Sequence, residues 1–437
     1  MKHSGLPTVQ DVAIGALLHD IGKLLQRSSS MRLTTEQKGR ASDVLPVYKG
    51  RHSHWHALWS DAFFDWVEEE HLPWPKDVNP GWVRDLAIYH HRPLQAYPDA
   101  PELIITELIT VADRLASGYE RRPRDIDEEL DERHRDKFRR IPMTAIVPSL
   151  RLEETGPEPH GHQLPGELDA DAMLPTPGRE GPDIGDRTFS CYAETWEGFQ
   201  EGWRTLVTML GPDADACLFE EALLGLCERW LWSVPSSTID EPDISLLDHS
   251  RAVAGFAAAL YQHHRARNEL TSAEAIRDSV RPKFRFLVGD LSGLQPTLFR
   301  FRRERIRRLN RILRGRSLKF QLIADAGTRL ALREFGMPWS AAFQTAGGRF
   351  LILLPELGEK EMQARTNRLQ KACDDWMAHE YTGDLGLGLA LSRPFSVHDL
   401  VMLRDETDDC ARNVRARRVR DDLAVAVETA KLQQLQG

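Results

Sequence analysis

The order of apolar runs in the last third of the chain is the tightest constraint on its fold. Phe284-Arg285-Phe286-Leu287-Val288-Gly289-Asp290 is short, apolar and β-prone, and reads as a strand ending in a carboxylate. Leu318 to Phe335 has the spacing of a long amphipathic helix. Ala341 to Pro355 is a pair of apolar runs around Gly347-Gly348, the pattern of a β-hairpin with its turn at the glycines. After another helix, Leu385-Gly386-Leu387-Gly388-Leu389-Ala390-Leu391 reads as a strand. Strand, helix, hairpin, helix, strand is the order of a ferredoxin-like α+β sheet. It is expected over residues 280–400, with a charged helical segment over 401–437.

The chain before it follows helical periods. At 437 residues it is too long for one core, and two to four domains are expected. Residues 1–122 read as helices with polar turns. Arg51 to Phe64 shows a helical face at Trp55, Leu58, Trp59, Ala62 and Phe63, with Ser53 placed to cap its start. Residues 123–185 are rich in Pro, Gly, acid and His, as in Glu153-Glu154-Thr155-Gly156-Pro157, and read as an acidic loop or insertion, partly extended. A solvated loop is the plainer account of His160 and His162 there. Residues 186–279 return to helices rich in Trp, Phe and Leu, a connecting region with a loop at Ser233 to Thr238 and a helix over Ala252 to His263. The fold class is therefore α+β multidomain: an all-α domain, a helical linker region, then the ferredoxin-like domain.

Composition narrows the setting. Hydrophobic content of 41% and charged content of 28% suit a globular protein. A net charge of −9 excludes a protein that is basic all over, though not a local nucleic-acid surface. No run approaches the ~20 apolar residues of a membrane span, and Met1-Lys2-His3-Ser4-Gly5-Leu6-Pro7 has no apolar signal region. Cys191, Cys217, Cys227, Cys373 and Cys410 form no CxxC pair, which points to a reducing compartment and no cysteine zinc site. A cytoplasmic location and no membrane partner are expected.

The chemistry gathers near the start. Ala13 to Ser28 reads as one helix with a buried stripe at Leu17, Leu18, Ile21, Leu24 and Leu25, and it carries His19-Asp20. A carboxylate beside a buried stripe needs a partner. Taken alone, the pair is most simply a satisfied polar pair. His52, His90-His91 and Asp113 reverse that balance. His90 and His91 stand near a helix end stopped by Pro93, and Asp113 interrupts a buried face in Leu103 to Leu115. His54 and His56, two apart, diverge on a helix and cannot both join one site without irregular backbone. Imidazoles and carboxylates together suit Mn, Fe, Co, Ni or Zn, and a metal pair would act on a phosphodiester or phosphomonoester. Lys23, one turn after His19, suits a phosphate, although an exposed helix lysine is plainer.

Two further features stand beside this set. Arg300, Arg302, Arg303, Arg305, Arg307, Arg308, Arg311, Arg314 and Arg316 alternate with Phe299, Phe301, Ile306, Leu309 and Ile312. Such a run is either a phosphate-tracking surface for single-stranded nucleic acid or a solvated helix face. Asp290, Ser292 and Gly293, with Gly347 and Gly348, would let a backbone approach a nucleotide phosphate, although a glycine pair in a hairpin is commonly a plain turn.

The ordered set is more specific than its parts. Ala16-Leu17-Leu18-His19-Asp20-Ile21-Gly22-Lys23, His52-Ser53, Tyr89-His90-His91 and Ala112-Asp113-Arg114-Leu115-Ala116-Ser117-Gly118 resemble the HD nuclease domain of the type III CRISPR–Cas large subunit (Cas ten, of the Csm kind). Val234-Pro235-Ser236-Ser237-Thr238, followed by Asp243 to Leu246 and Asp248-His249, resembles that family's segment leading into its first palm domain. Gly289 to Gln295, Leu313 to Ser317 and Gly347-Gly348 resemble the palm itself, a nucleotide-cyclase-like fold. The resemblance runs from about residue 11 to about 400, except over the acidic loop.

It implies a metal-dependent HD nuclease that cuts single-stranded DNA within an RNA-guided antiviral effector. CRISPR RNA, target RNA and other type III Cas subunits are its implied partners. By position His19, Asp20, His90, His91 and Asp113 match catalytic and metal residues, with His52 as a further ligand. Mn, Co or Ni is the implied metal, with Fe or Zn also suited to the ligands. The family shows other residue types at His54 and His56. The family also carries a four-cysteine zinc module and a second palm with Gly-Gly-Asp-Asp, and these residues hold neither. ATP binding and cyclic oligoadenylate synthesis would therefore need a second palm, expected on a separate chain. The alternatives are a small-molecule HD phosphohydrolase and a non-catalytic scaffold that binds nucleotide or RNA.

Overall fold

The computed structural model describes residues 5–92, 101–120, 137–149, 161–177, 182–238, 241–299, 308–381, 384–401 and 409–434. They form a mixed α+β protein that divides into two compact units, Met1–Ala257 and Ala258–Gly437.

The first unit is mainly helical. Its main helices are α1 (Val9–Leu18), α2 (Ile21–Ser28), α3 (His56–Glu69), α4 (Pro80–Ile88), α5 (Glu107–Glu120), α6 (Pro182–Leu210), α7 (Ala216–Leu231) and α8 (Leu246–Arg265), within which the unit boundary falls. Local chemistry sets their starts. Thr8 and Asp11 form a reciprocal capping box on α1, with bonds of 3.0 and 2.8 Å. Asn79 caps α4 ahead of Pro80, whose missing N–H costs nothing at a first helical position.

The Trp- and Phe-rich stretch is not a separate layer. Phe63 of α3 packs edge-on against Trp203 of α6 at 5.1 Å, and Trp66 against Trp196 at 5.7 Å. Edge-to-face pairing of this kind adds to the area these rings bury, so α6 belongs to the core that backs α2 and α3. Within the acidic region, Met143–Thr144, Gly161–Gln163 and Thr176–Pro177 pair as a small antiparallel sheet, and His162 is buried in it. His160 lies outside the described residues.

The second unit is built on one sheet: β1 (Phe284–Ser292), α9 (Leu309–Phe335), β2 (Ala342–Ala346), β3 (Arg349–Pro355), α10 (Glu359–Tyr381), β4 (Gly386–Leu391) and the terminal helix α11 (Asp409–Gln434). The strand order is β2-β3-β1-β4, with every neighbour antiparallel. This is the split βαβ order of a ferredoxin-like sheet. Gly347 and Gly348 turn the hairpin with φ of +62° and +80°, which glycine adopts without strain. The long helix starts at Leu309, nine residues before the amphipathic pattern becomes clear at Leu318, because Leu309, Ile312 and Leu318 all face outward.

Candidate metal centre

Two helix ends place the innermost donors. The helix expected over Ala13 to Ser28 is broken at His19-Asp20, where Asp20 takes φ −106° and ψ 9°. His19 ends α1 with its ring turned back, so that Nδ1 donates to the Ala16 carbonyl at 2.6 Å. His90, just past α4, repeats the device on the Ala87 carbonyl, also at 2.6 Å. A carbonyl can only accept, so Nδ1 carries a proton in both rings, and in the neutral ring the lone pair is then on Nε2. Both Nε2 atoms are buried and make no hydrogen bond among the described residues.

Asp20 is the hub. Its Oδ2 lies 3.3 Å from His19 Nε2, 3.4 Å from His249 Nε2 and 2.5 Å from Lys23 Nζ. Its Oδ1 lies 3.2 Å from His56 Nε2 and 3.9 Å from His90 Nε2. Asp113, from α5, places Oδ1 at 3.2 Å from His249 Nε2 and 4.0 Å from His19 Nε2. His91 meets His56 at 2.9 Å between Nε2 atoms.

Close approach of α2 to α3 makes the hub possible. A Cβ on Gly22 would sit 2.0 Å from the His56 carbonyl oxygen and 2.4 Å from Ser60 N. In its place, Gly22 N donates to Ser60 Oγ at 3.0 Å, and Ser60 Oγ donates to the His19 carbonyl at 2.7 Å. Glycine is what lets the two backbones meet.

The electrostatics fit a cation. Burial alone would raise the Asp20 carboxyl, but Lys23 and the His19 and His56 imidazoles outweigh it and hold it well below the usual range. Asp113 is likewise held low against burial, chiefly by its bond to His249. Burial pushes His90 down to about 4 and pushes His56 and His91 well below 6.5. Two ionised carboxylates thus share one ammonium with the lowered imidazoles of His56, His90 and His91, a set short of positive charge. A divalent transition ion sits about 2.0–2.2 Å from such donors, which puts its ligand atoms roughly 3–4 Å apart. The donors resolve into overlapping triads: His19, Asp20 and His90; His19, Asp113 and His249; His56, His90 and His91. The residues present fit a metal pair.

His19, Asp20, His90, His91 and Asp113 all meet here. His52 does not. It sits on the two-residue strand Arg51–His52, its ring 6.3 Å from that of Trp55 and outside every triad. His56 takes its place. His54 adopts φ +57°, so the chain turns before α3 begins at His56, and the helical divergence of the two histidines does not apply. His54 stays at the exposed edge, its ring 4.1 Å from that of His91. His249 on the first turn of α8 is a further member that sequence reasoning missed. Its signal was present: Leu246, His249, Ser250 and Val253 follow helical spacing and are all buried. Lys23 is not an exposed helix lysine, since it is held by Asp20 and by the Ser236 carbonyl at 2.9 Å.

In the second unit the proposed nucleotide-binding residues have local partners. Asp290 accepts from Arg349 Nε across the strand pair at 2.7 Å. Ser292 Oγ donates to the Gly386 carbonyl at 3.3 Å. Gly293 has φ +78°, and a Cβ there would meet the Asp384 carbonyl at 2.2 Å. Gly347 and Gly348 make the turn. Of the arginine run, Arg300, Arg302, Arg303 and Arg307 lie outside the described residues. Arg308 and Arg314 are exposed, and Arg316 Nη1 donates to the Thr297 and Leu298 carbonyls at 3.0 and 2.6 Å. His263, His264 and Glu269 also cluster, but Arg267, Arg281 and Lys283 crowd them with positive charge, which suits a buried polar network rather than a cation site.

Comparison with known proteins adds relatives. A family model described as Csm1 subunit domain B matches residues 283–436. The Cas10/Csm1 single-strand-specific deoxyribonuclease (subtype III-A) of Methanocaldococcus jannaschii is 24% identical over 386 residues, 83% of this chain and 42% of that protein. Its Enterococcus italicus counterpart is 24% identical over 392 residues, 87% of this chain and 46% of that protein. The chain is a homologue of the Cas10/Csm1 large subunit. It spans about half the length of the curated relatives it matches. The crystal structure of Csm1 from T. onnurineus shares its fold with a TM-score of 0.63 at 20% identity, covering 95% of this chain and 48% of that one. A Csm1–Csm4 cassette in complex with pppApApA gives 0.62 at 19% identity, covering 97% and 49%. No helix among the described residues is long and apolar enough to cross a membrane.

Proposed function

We propose that the chain is the nuclease-bearing half of a type III CRISPR effector large subunit, a divalent-metal-dependent single-strand deoxyribonuclease of the HD kind. The observation that carries this reading is the convergence of His19, His56, His90, His91 and His249 on Asp20 and Asp113. The activity for which the Methanocaldococcus jannaschii and Enterococcus italicus relatives are named, single-strand-specific deoxyribonuclease, supports it.

A Mn, Co or Ni pair bound there would supply Lewis acidity toward a phosphodiester and activate water at neutral pH. The protein's own part is preorganisation. The Ala16 and Ala87 carbonyls fix the tautomer and direction of His19 and His90, as outer-shell partners of ligating histidines do. Asp20, kept ionised by Lys23, faces both histidine groups. Arg308 and Arg314 at the head of α9 offer charge to a single-stranded backbone.

The Csm1–Csm4 cassettes among the similar structures support assembly with other type III Cas subunits, and CRISPR RNA and target RNA are the partners that such an assembly would bring. The second unit is the first of two palms, its Asp290, Ser292 and Gly293 contributing to an ATP site only when a second palm faces it. Purified protein with Mn²⁺, Co²⁺ or Ni²⁺ is expected to cut single-stranded DNA and spare the duplex, with His19→Ala/Asp20→Ala and His56→Ala both inactive. Phosphate release from mononucleotides with single-stranded DNA untouched would replace this reading with a small-molecule phosphohydrolase. Metal content near zero with normal complex assembly would replace it with a scaffold.

A further inference from the structure

His249 reaches the cluster from a helix far along the chain, and something must set where that helix begins. Lys23 and Arg27 are one turn apart on α2 and share a face. Lys23 Nζ donates to the Ser236 carbonyl at 2.9 Å, and Arg27 Nη1 donates to the neighbouring Pro235 carbonyl at 2.6 Å. We propose that these two side chains are a clamp that registers His249 on Asp20 and Asp113, which makes Arg27 a positioning residue for the metal centre. The inference rests on the metal-dependent reading above.

The segment they hold is coupled to α8 by backbone bonds. Ser236 N donates to the Ile244 carbonyl at 2.8 Å, and Leu246 N donates to the Val234 carbonyl at 2.6 Å. Pro235 and Ser245 form a β-bridge between these two bonds. Ser245 Oγ then accepts from Asp248 N at 3.0 Å, starting the helix. Moving the 235 and 236 carbonyls therefore moves residues 244–246, and His249 is one turn further on. Its Nε2 stands 3.2 Å from Asp113 Oδ1 and 3.4 Å from Asp20 Oδ2.

Arg27 is an unusual choice for a mere packing role. It is only 4% exposed and pairs with no carboxylate among the described residues. Its charge is met by the Pro235 carbonyl and by the face of Tyr192, 5.8 Å from the ring centre. A buried cation is costly unless its partners are well placed. Lys23 also holds Asp20, so its loss would have two effects. Arg27 touches no member of the cluster and isolates the clamp.

The test uses the full 437-residue chain loaded with Co²⁺, read by titration calorimetry and by the visible ligand-field spectrum. Arg27→Met is expected to weaken Co²⁺ binding by about 10–100-fold, the usual cost of losing an outer-shell support, and to shift the spectrum the way His249→Ala does. The double variant Arg27→Met/His249→Ala should lose no more affinity than His249→Ala alone, because contacts acting through one group are not additive. Arg27→Lys keeps a donor and should recover part of the affinity, and it carries the comparison if Arg27→Met does not fold. Unchanged affinity and spectrum in the Arg27 variants, or losses that add in the double variant, would overturn the clamp while leaving the metal centre intact. A wild-type chain that binds no Co²⁺ would overturn both.

Discussion

Gly22→Ala should damage the candidate metal centre without replacing any donor residue. The new Cβ would lie 2.0 Å from the His56 carbonyl oxygen, where ordinary contact begins at 3.4 Å, so α2 and α3 must part by about 1.4 Å. Both obstructing groups are backbone, so no side chain can swing away. Overpacking of this kind costs about 1–3 kcal/mol. The Ser60 hydroxyl would also lose its bonds to Gly22 N and the His19 carbonyl, about 1 kcal/mol each. Better helix propensity returns at most ~1 kcal/mol. The net loss is about 2–4 kcal/mol, or roughly 5–15 °C in the transition of the first unit. The same displacement would carry His56 Nε2 from 3.2 Å to beyond the reach of a metal shared with Asp20, since ligand distances tolerate about ±0.2 Å. Calorimetric unfolding and Mn²⁺ titration measure both effects. Gly15→Ala is the internal control: its nearest neighbours, Leu86 Cβ at 2.9 Å and the Val83 carbonyl at 3.1 Å, ask for a much smaller shift. A Gly22→Ala protein that melts within about 2 °C of wild type and binds the same metal equivalents would refute the reasoning.

Acid should unfold the second unit partly through His263 and His264. Burial, helped by Arg267 and Lys283, pushes them down to about 3 and about 4, so below pH 6.5 the unfolded chain takes up protons that the folded one refuses. Stability therefore falls as pH drops from 6.5 toward 4, and His263→Gln/His264→Gln should flatten that slope in urea titrations; equal slopes would count against it. Arg308→Ala/Arg314→Ala should weaken single-strand binding and reduce the salt slope by about one to two, whereas an unchanged slope would mark a solvated face. Arg316→Ala should instead cost stability, about 0.5–1.5 kcal/mol, through its bonds to the Thr297 and Leu298 carbonyls.

Period and turn chemistry made the sheet of the second unit readable. Strand-length apolar runs, a glycine pair and amphipathic spacing each act locally, and here they agree. The His–Asp cluster of the first unit was readable where its residues broke a local rule, as Asp20 and Asp113 do by interrupting apolar stripes. His56 was hidden because Trp55 completes an apparent helical face although it is 40% exposed and precedes α3. The left-handed turn at His54 that frees His56 has no composition signal. His249 lies 136 residues beyond Asp113, and only tertiary packing of α8 joins them. The break after Leu18 was invisible for a related reason: the apolar stripe continues across it through Ile21, Leu24 and Leu25, all buried.

The same logic separates the two units by chemical role. In the first, carboxylates are buried, ionised and faced by imidazole lone pairs, an arrangement that burial makes costly unless a cation completes it. In the second, Asp290 on the central strand is already answered by Arg349 across the ladder, next to the Gly347-Gly348 turn. An arginine at that position neutralises the strand carboxylate and would compete with Mg²⁺ for it. Removing it by Arg349→Ala would take away that charge partner of Asp290 but add no second carboxylate. Among the described residues the unanswered carboxylate charge is thus centred on Asp20, whereas the strand carboxylate of the sheet is already neutralised within it.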